Sequence, residues 1–169
     1  KDMTAAVLGA RFCVHKTEGN FNNDIGVPLT LLRLEAQHEV CVVELGMDHA
    51  GEIDNLARLV EPDMALITNI GDAHIENLGS RENIFKAKCE IFPHLKRDGL
   101  AVLNGDDPLL ASLEGTLAQR TVFVGEGEGL DYTARDLSSD GAGHLFCRVK
   151  TPRSQFEANI PALGSHMIY

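Results

Sequence analysis

The chain has 169 residues, a formal net charge of -10 and a sequence pI near 5.0. A chain this acidic has no basic stripe to neutralise phosphates, so its composition argues against nucleic acids and anionic membranes as partners and leaves a local anion site open. Its length suits one domain with a hydrophobic core and is short for two.

Hydrophobic patterning predicts alternating helices and buried strands over the first part of the chain. Residues 1–10 have a helical pattern, FCVHKT is a short strand, and Pro28 opens a short helix at its first position, where the missing N–H costs nothing. EVCVVEL and DMALITNI are continuous apolar runs, as in strands buried on both faces of a parallel sheet. The helical segment EIDNLARLV lies between them.

The next segment, ending in NIFKAKCEIF, predicts an amphipathic helix with a lysine on its apolar side. Ile84, Lys88 and Ile91 are spaced at i, i+4 and i+7 and therefore share one face. An ammonium group within an apolar stripe must be paired, neutralised or chemically altered, because an isolated buried charge is very costly. Lys88 is therefore a candidate functional residue.

The rest of the chain changes its pattern near Gly125. Before it, GLAVLNG and RTVFVG are strands separated by a helix that Asp107 caps and Pro108 opens, which completes a doubly wound α/β pattern. After it, DYTARDLSS, GHLFCRVKT and SQFEANIPA alternate in polarity, as in antiparallel strands. We expect one domain, residues 1–169, with a mostly parallel sheet flanked by helices over residues 1–125 and an antiparallel extension over residues 126–169.

Cysteine usage and hydropathy indicate where the protein resides. The four cysteines form no C-x-x-C pair, and two of them lie in apolar runs where thiols act as small hydrophobic groups. No apolar run approaches the roughly 20 residues that span a bilayer. We therefore expect a soluble, cytoplasmic protein. Independently of these two features, we expect a monomer.

Polar residues cluster where the predicted strands end, which is where parallel α/β sheets bind their ligands. Glu44 ends one strand and is followed by Asp48 and His49; His74 follows the next strand, and Asn104 ends a third. We expect these strand ends to form one rim. Because Glu44 ends an apolar strand, we expect it to be nearly buried and to need a cation or a proton; a divalent metal would serve.

These residues also have plain structural interpretations. Asp48 and Asp107 suit the caps of following helices. A loop histidine such as His74 is more often satisfied by protein groups than by a hard metal such as magnesium. Lys88 taken alone suits a snorkelling or ion-paired lysine.

Five ordered segments resemble the signatures of the Mur ligase central domain, a P-loop-like α/β domain. They are GNFNNDIGVPLTLLRL, VVELGMDHAGEI, TNIGDAHIENLGS, AKCEIF and LNGDD. The resemblance runs from KDMTA to LGSH, and the sequences of these segments are most similar to those of family members that add D-alanyl-D-alanine. It implies an ATP-dependent amide ligase of peptidoglycan precursor synthesis. Such a ligase activates the carboxylate of UDP-N-acetylmuramoyl-tripeptide as an acyl phosphate and joins it to D-alanyl-D-alanine.

The resemblance also implies cofactors. In this family the lysine that matches Lys88 is carbamylated by CO2, which converts a cation into an anion able to hold Mg²⁺. Glu44 and His74 match the metal ligands of the family. Asn104 matches an asparagine that contacts the adenine of ATP.

The resemblance further implies a substrate face. Asn22 and Asn23 match the loop that faces the UDP-sugar-peptide, and we expect Asp48 and His49 to join that face.

Two departures from the family pattern bear on activity. The glycine-rich phosphate loop is expected immediately before Lys1, and that loop, the N-terminal UDP-binding domain and the C-terminal domain are not in this sequence. We therefore expect this chain alone to be inactive, with weak ATP affinity and an unmodified Lys88. His166 is also followed by methionine where many Mur ligases have asparagine.

Two other interpretations are open. A folylpolyglutamate-synthase-like ligase would use the same functional residue types, a glutamate, a histidine and a carbamylated lysine. The Asn-Asn-x-Ile-Gly-x-Pro run of residues 22–28 argues against this interpretation. A non-catalytic module could use the same rim to bind a nucleotide, a metal or a protein. A pure scaffold, however, has no need of a glutamate, a histidine and a buried lysine at one rim.

Overall fold

The chain divides into two compact units. A computed structural model describes residues 1–161, so His166 and the end of the predicted antiparallel extension lie outside the described residues. The first unit comprises Lys1–Pro62 and Asp72–Leu95, and the second comprises Asp63–Gly71 and the described residues from Lys96 onward.

The first unit packs helices around a short parallel sheet. Strands β1 (Val14–Lys16) and β2 (Val40–Val42) pair in parallel, with His15 opposite Cys41. Its helices are α1 (Asp2–Gly9), α2 (Gly26–Leu32), α3 (Glu52–Val60), α4 (Ile75–Leu78) and α5 (Arg81–Cys89), followed by a 3-10 helix, Phe92–His94. The buried apolar residues of this unit are Ala5, Val27, Ile53, Leu56, Ala57, Leu78, Ile84, Ala87, Phe92 and Leu95.

The second unit is built on a six-stranded sheet in which the strands follow sequence order. These strands are β3 (Met64–Ile67), β4 (Leu100–Asn104), β5 (Arg120–Gly125), β6 (Tyr132–Ser139), β7 (Leu145–Lys150) and β8 (Gln155–Ile160). Strands β3 to β6 pair in parallel, whereas β6, β7 and β8 pair antiparallel. A short helix, α6 (Pro108–Ala111), follows β4.

The predicted fold class is confirmed. The chain is a mixed α/β protein with mostly parallel strand pairs and flanking helices, and its antiparallel strands come after Gly125. The prediction of one domain stays a prediction. Strand β3 was expected to be buried on both faces, but Met64 and Leu66 are 62% and 50% exposed. Successive side chains of a strand point to opposite faces, and only the face that carries Ala65 and Ile67 is buried. Among the helices of residues 1–161, none is long and apolar enough to cross a lipid bilayer.

Two predicted helix boundaries were wrong. Helix α2 begins at Gly26, two residues before Pro28, because the side chain of Asn23 accepts hydrogen bonds from the N–H groups of Ile25 and Gly26 at 3.3 and 2.9 Å. Helix α5 ends at Cys89 and so does not reach Ile91. The prediction also missed α4, whose four residues are too few to show a helical period.

The cysteines behave as their sequence context indicates. All four are free thiols in the structure. Burial raises the pKa of Cys89 to about 11, and it also raises the pKa of Cys41 and Cys147. A thiol with a raised pKa is a poor nucleophile at neutral pH, so we assign these three cysteines no chemistry.

Candidate functional site

Glu44, two residues beyond β2, is the centre of a small polar network. Its carboxylate accepts a hydrogen bond from the Asn22 side-chain amide at 3.0 Å and pairs with the Lys1 ammonium at 3.2 Å. The Glu44 side chain is 40% exposed, so the expectation that it is nearly buried was wrong, although the expected cation is present. The hydrogen bond to Glu44, with a smaller contribution from Asp2, raises the pKa of Lys1.

The backbone around Glu44 is fixed by the neighbouring strand. The Glu44 N–H donates to the hydroxyl of Thr17 at 3.0 Å, and the Thr17 N–H donates to the Val42 carbonyl at 3.0 Å. Thr17 is fully buried. Sequence reasoning did not single out Thr17, although its place as the last residue of the predicted strand FCVHKT was a usable signal. The site therefore rests on a rigid sheet edge.

Asn22 and Asn23 perform different structural tasks. Asn22 makes two hydrogen bonds to the loop after β2. Its side-chain amide donates to Glu44, and its backbone carbonyl accepts the Gly46 N–H at 2.7 Å. Asn23 turns inward to the start of α2, as described above. Asn23 is exposed and Asn22 is half-buried. Of the two, Asn22 is therefore the one bonded directly to Glu44.

The loop between β2 and α3 brings Asp48 and His74 together. Glu52 accepts the N–H groups of Asp48 and His49 at 2.6 and 3.0 Å, and these bonds lower the pKa of Glu52. The Asp48 carboxylate lies 2.8 Å from Nδ1 of His74. His74 itself has a φ of 63°, an uncommon conformation for a residue other than glycine. The imidazole therefore has a carboxylate partner, as its structural interpretation required.

Lys88 lies in the last turn of α5 and is half-buried. The predicted apolar stripe was only partly correct, because the buried side of α5 is formed by Ile84 and Ala87, and the helix ends before Ile91. Lys88 is thus next to the buried side of its helix and not at its centre.

Glu90, which follows α5, was missed by the sequence analysis. Its carboxylate accepts the Gly51 N–H at 2.8 and 3.0 Å and the Asp54 N–H at 3.2 Å. These donors belong to the first turn of α3. The bond joins residues 39 positions apart, and no local pattern reveals such a partner.

Asn104 lies in the second unit, at the end of β4. It is 8% exposed, and its side-chain oxygen accepts the Asp106 N–H at 2.9 Å. The Asp106 carboxylate in turn accepts the N–H groups of Glu126 and Gly127 at 2.6 and 2.8 Å. Asp107 caps α6 through Leu109 and Leu110, as the structural interpretation expected.

The predicted site residues are therefore distributed over both units. Glu44, His74 and Lys88, the predicted metal ligands, belong to the first unit, whereas Asn104 belongs to the second. The common rim, like the roles of these residues, stays a prediction. Within residues 1–161 the structure contains no group of three or more histidine, cysteine, aspartate or glutamate side chains arranged to hold a metal ion.

Comparison with known proteins identifies the class. A family model described as the Mur ligase middle domain matches residues 1–169, and the chain therefore belongs to the Mur ligase middle-domain family. The UDP-N-acetylmuramoyl-tripeptide--D-alanyl-D-alanine ligase of Bacillus subtilis (strain 168) is 46% identical over 99% of this chain. The chain spans 35% of that relative's length. The predicted family is thus confirmed, and the relative named here is a ligase of the kind that the motifs were expected to resemble most.

Solved structures agree with this assignment. The UDP-N-acetylmuramoylalanyl-D-glutamyl-2,6-diaminopimelate--D-alanyl-D-alanyl ligase of Acinetobacter baumannii superimposes with a TM-score of 0.90 at 33% identity, over 99% of this chain and 36% of that one. The MurF ligase of Thermotoga maritima in complex with ADP gives a TM-score of 0.88 at 30% identity, over 99% of this chain and 39% of that one. Escherichia coli FolC in complex with ADP is 16% identical over 90% of this chain and 43% of that one, with a TM-score of 0.60, and shows the fold alone.

Proposed function

We propose that the full-length protein is an ATP-dependent ligase that joins D-alanyl-D-alanine to UDP-N-acetylmuramoyl-tripeptide in peptidoglycan precursor synthesis. The observation that carries the proposal is the 46% identity to the Bacillus subtilis ligase over 99% of the chain. Because the chain spans 35% of that relative, the activity is proposed for the whole protein and not for these residues alone. We also propose a cytoplasmic location, where both peptide substrates and ATP would be available.

The proposed reaction has two steps. The terminal carboxylate of the tripeptide attacks the γ-phosphorus of ATP, which breaks the bond to the bridging oxygen and releases ADP. The amine of D-alanyl-D-alanine then attacks the acyl carbon. Phosphate leaves with one former carboxylate oxygen, and the amine loses a proton as the amide forms. Catalysis of phosphoryl transfer rests mainly on positioning and charge stabilisation.

Glu44 fits the magnesium ion that this chemistry requires. Mg²⁺ is usually held by one or two carboxylates together with substrate phosphates, and the half-exposed carboxylate of Glu44 is an oxygen donor of this kind. His74 is a softer donor than a carboxylate, so we expect it to bind Mg²⁺ less strongly than Glu44 does. When bound, the ion would neutralise charge on the phosphates. Asn22 and Lys1 orient the Glu44 carboxylate.

Asn104 is proposed to contact the adenine of ATP. The support is that the Thermotoga maritima relative binds ADP and that Asn104 is a buried amide fixed by its own loop. A fixed amide can recognise a base edge because its rotamer is determined before the ligand arrives.

Asn22, Asn23, Asp48 and His49 are proposed to face the nucleotide-linked peptide. Asp48 and His49 are exposed on a loop whose backbone is held by Glu52, an arrangement suited to binding residues. Since Asn23 also holds the start of α2, it would act on the substrate through the shape of this loop.

Lys88 is proposed to be carbamylated in the intact, magnesium-bound enzyme and unmodified in the isolated chain. The half-buried position of Lys88 beside the buried face of α5 is compatible with reaction of its amine with CO2. Carbon-13 NMR of the full-length enzyme under ¹³CO2 would show a carbamate signal that Lys88→Ala lacks. The variant should be folded and nearly inactive, and a short carboxylate such as formate should restore part of its turnover. A lowered melting temperature without rescue would instead assign Lys88 to a structural ion pair.

Oxygen labelling tests the proposed reaction itself. With ¹⁸O in the terminal carboxylate of the tripeptide, full-length enzyme, ATP and D-alanyl-D-alanine should yield inorganic phosphate that carries one ¹⁸O atom per turnover. Release of ADP with unlabelled phosphate would show ATP hydrolysis without acyl-phosphate formation, and the proposal would then be wrong.

A further inference from the structure

The first unit contains a cavity with both polar and apolar lining residues, of which only His49 was assigned a binding role above. Its volume is about 270 Å³, and it lies between the loop before α3, helix α4 and helix α5. Its polar lining residues are His49, Asn77, Asn83, Lys86 and Glu90.

The size of the cavity suits one residue of a peptide. Small-molecule sites usually enclose roughly 300–1,000 Å³, so this cavity is too small for a whole nucleotide-peptide. A water molecule occupies about 30 Å³ in the liquid, which means that the cavity can hold several non-hydrogen atoms. We therefore regard it as one subsite of a larger binding surface.

The cavity is lined by one cation, Lys86, and one carboxylate, Glu90. The Glu90 carboxylate is already bonded to the N–H groups of Gly51 and Asp54 at 2.8 to 3.2 Å, which compensates its charge. Lys86 is exposed, and the described residues provide no ion-pair partner for its ammonium group. The Nδ2 of Asn83 already donates to the Leu78 carbonyl at 2.7 Å and has one further N–H to offer. Together with the Asn77 amide and the Lys86 cation, it matches a singly charged carboxylate. A phosphate dianion would need further cations, which this acidic chain does not place in the cavity.

We propose that this cavity binds a non-reacting carboxylate of a peptide substrate, with Lys86 as its counter-ion. The inference rests on the proposed ligase function. The Acinetobacter baumannii relative is named for a substrate with glutamyl and diaminopimelate residues, both of which are dicarboxylic, and for a D-alanyl-D-alanyl group, which ends in a carboxylate. Holding one of these groups would leave only the intended carboxylate near ATP.

Steady-state kinetics of the full-length ligase tests the role of Lys86. Lys86→Met should raise the KM for one peptide substrate about tenfold and leave the KM for ATP unchanged. Lys86→Arg should retain most of the affinity because it keeps the charge, and Lys86→Gln provides a second uncharged variant. Lys150→Met, an exposed lysine of β7 in the other unit, is the matched control and should leave every KM unchanged. Equal melting temperatures would show that the variants are folded.

Substrate analogues identify which carboxylate is bound. Three analogues each remove one candidate: a glutamyl carboxamide, lysine in place of diaminopimelate, and D-alanyl-D-alanine amide. The analogue that lacks the bound carboxylate should weaken wild-type binding about tenfold and cause no further loss in Lys86→Met.

The outcomes separate this inference from the proposed function. An active Lys86→Met enzyme whose KM values for both peptides stay within twofold of wild type would overturn the inference and leave the ligase function standing. A rise in the KM for ATP alone would also overturn it. Absence of ligation by the wild-type enzyme would contradict the proposed function and the inference together.

Discussion

At the scale of single residues, Glu44 is held by a partner that depends on a neighbouring glycine. A Cβ atom added to Gly46 would lie 2.7 Å from Cγ of Asn22, the residue whose amide binds Glu44. Real Cβ atoms essentially never approach a neighbour this closely. Gly46 therefore allows Asn22 to reach Glu44, and the sequence alone gave no sign of this dependence.

Gly46→Ala should displace Asn22 and disturb the carboxylate of Glu44. We expect the full-length enzyme to lose most of its ligase turnover and about 1–3 kcal/mol of stability, as in other overpacked sites. Gly9→Ala is the matched control, because a Cβ there meets no atom within 4 Å. Turnover and melting temperature of both variants check the prediction. Equal, wild-type behaviour of the two would contradict the steric argument.

Glu52 should make the protein sensitive to acid. Its pKa is lowered in the folded protein by hydrogen bonds from the Asp48 and His49 N–H groups. A lowered folded pKa means that this stabilisation is present above the unfolded pKa and is lost as the pH falls through the folded pKa. The loss should therefore begin below about pH 4.5, the ordinary pKa of glutamate.

Comparison with a charge-neutral variant isolates this effect. Melting temperature measured from pH 6 to pH 3 should fall less steeply for Glu52→Gln than for wild type, whereas Glu114→Gln, an exposed glutamate, should follow wild type. Parallel curves for Glu52→Gln and wild type would contradict the assignment.

At the scale of elements, the carboxylate of Glu90 ties the end of α5 to the start of α3. The first turn of α3 has no cap from its own sequence, since its N-cap residue is Gly51 with a φ of 86°. Glu90 supplies the missing acceptor from the end of another helix. A carboxylate is also favourable beside the positive end of a helix dipole.

Glu90→Ala should loosen the first turn of α3. We expect faster hydrogen exchange of the amides in residues 51–54, because capping bonds are typically worth about 0.5–2 kcal/mol. Glu82→Ala, an exposed residue in the first turn of α5, is the control and should leave this exchange unchanged. Mass spectrometry of the peptide that contains α3 measures the effect. Unchanged exchange in Glu90→Ala would show that α3 has another source of stability.

The elements also show what the sequence could and could not predict. The apolar runs EVCVVEL and GLAVLNG predicted β2 and β4, because packing within a sheet selects such residues whatever their distant partners are. The start of α2 was predicted wrongly because a side chain, Asn23, sets it and overrides the signal from Pro28. The cap from Glu90 could not be predicted from the sequence, because it joins segments far apart in the chain and no local pattern indicates it.

At the scale of the whole molecule, the predicted site residues occupy two compact units. The network of Glu44, Asn22 and Lys1 belongs to the first, and Asn104 belongs to the second. Five sequence motifs predicted the family. Their internal spacing and their order along the chain together are more specific than any single motif. The partners of Glu44 and His74 required the structure, because residue type alone does not separate a metal ligand from an ion pair.

We propose that the full-length protein is a D-alanyl-D-alanine-adding ligase. The most direct test is mass spectrometry of the product made by the full-length protein from ATP, UDP-N-acetylmuramoyl-tripeptide and D-alanyl-D-alanine. We predict a UDP-N-acetylmuramoyl-pentapeptide formed with one ADP per amide bond, and no product when any one of the three substrates is omitted. Extension of a folate by glutamate, or the absence of any ligation product from folded protein, would contradict the claim.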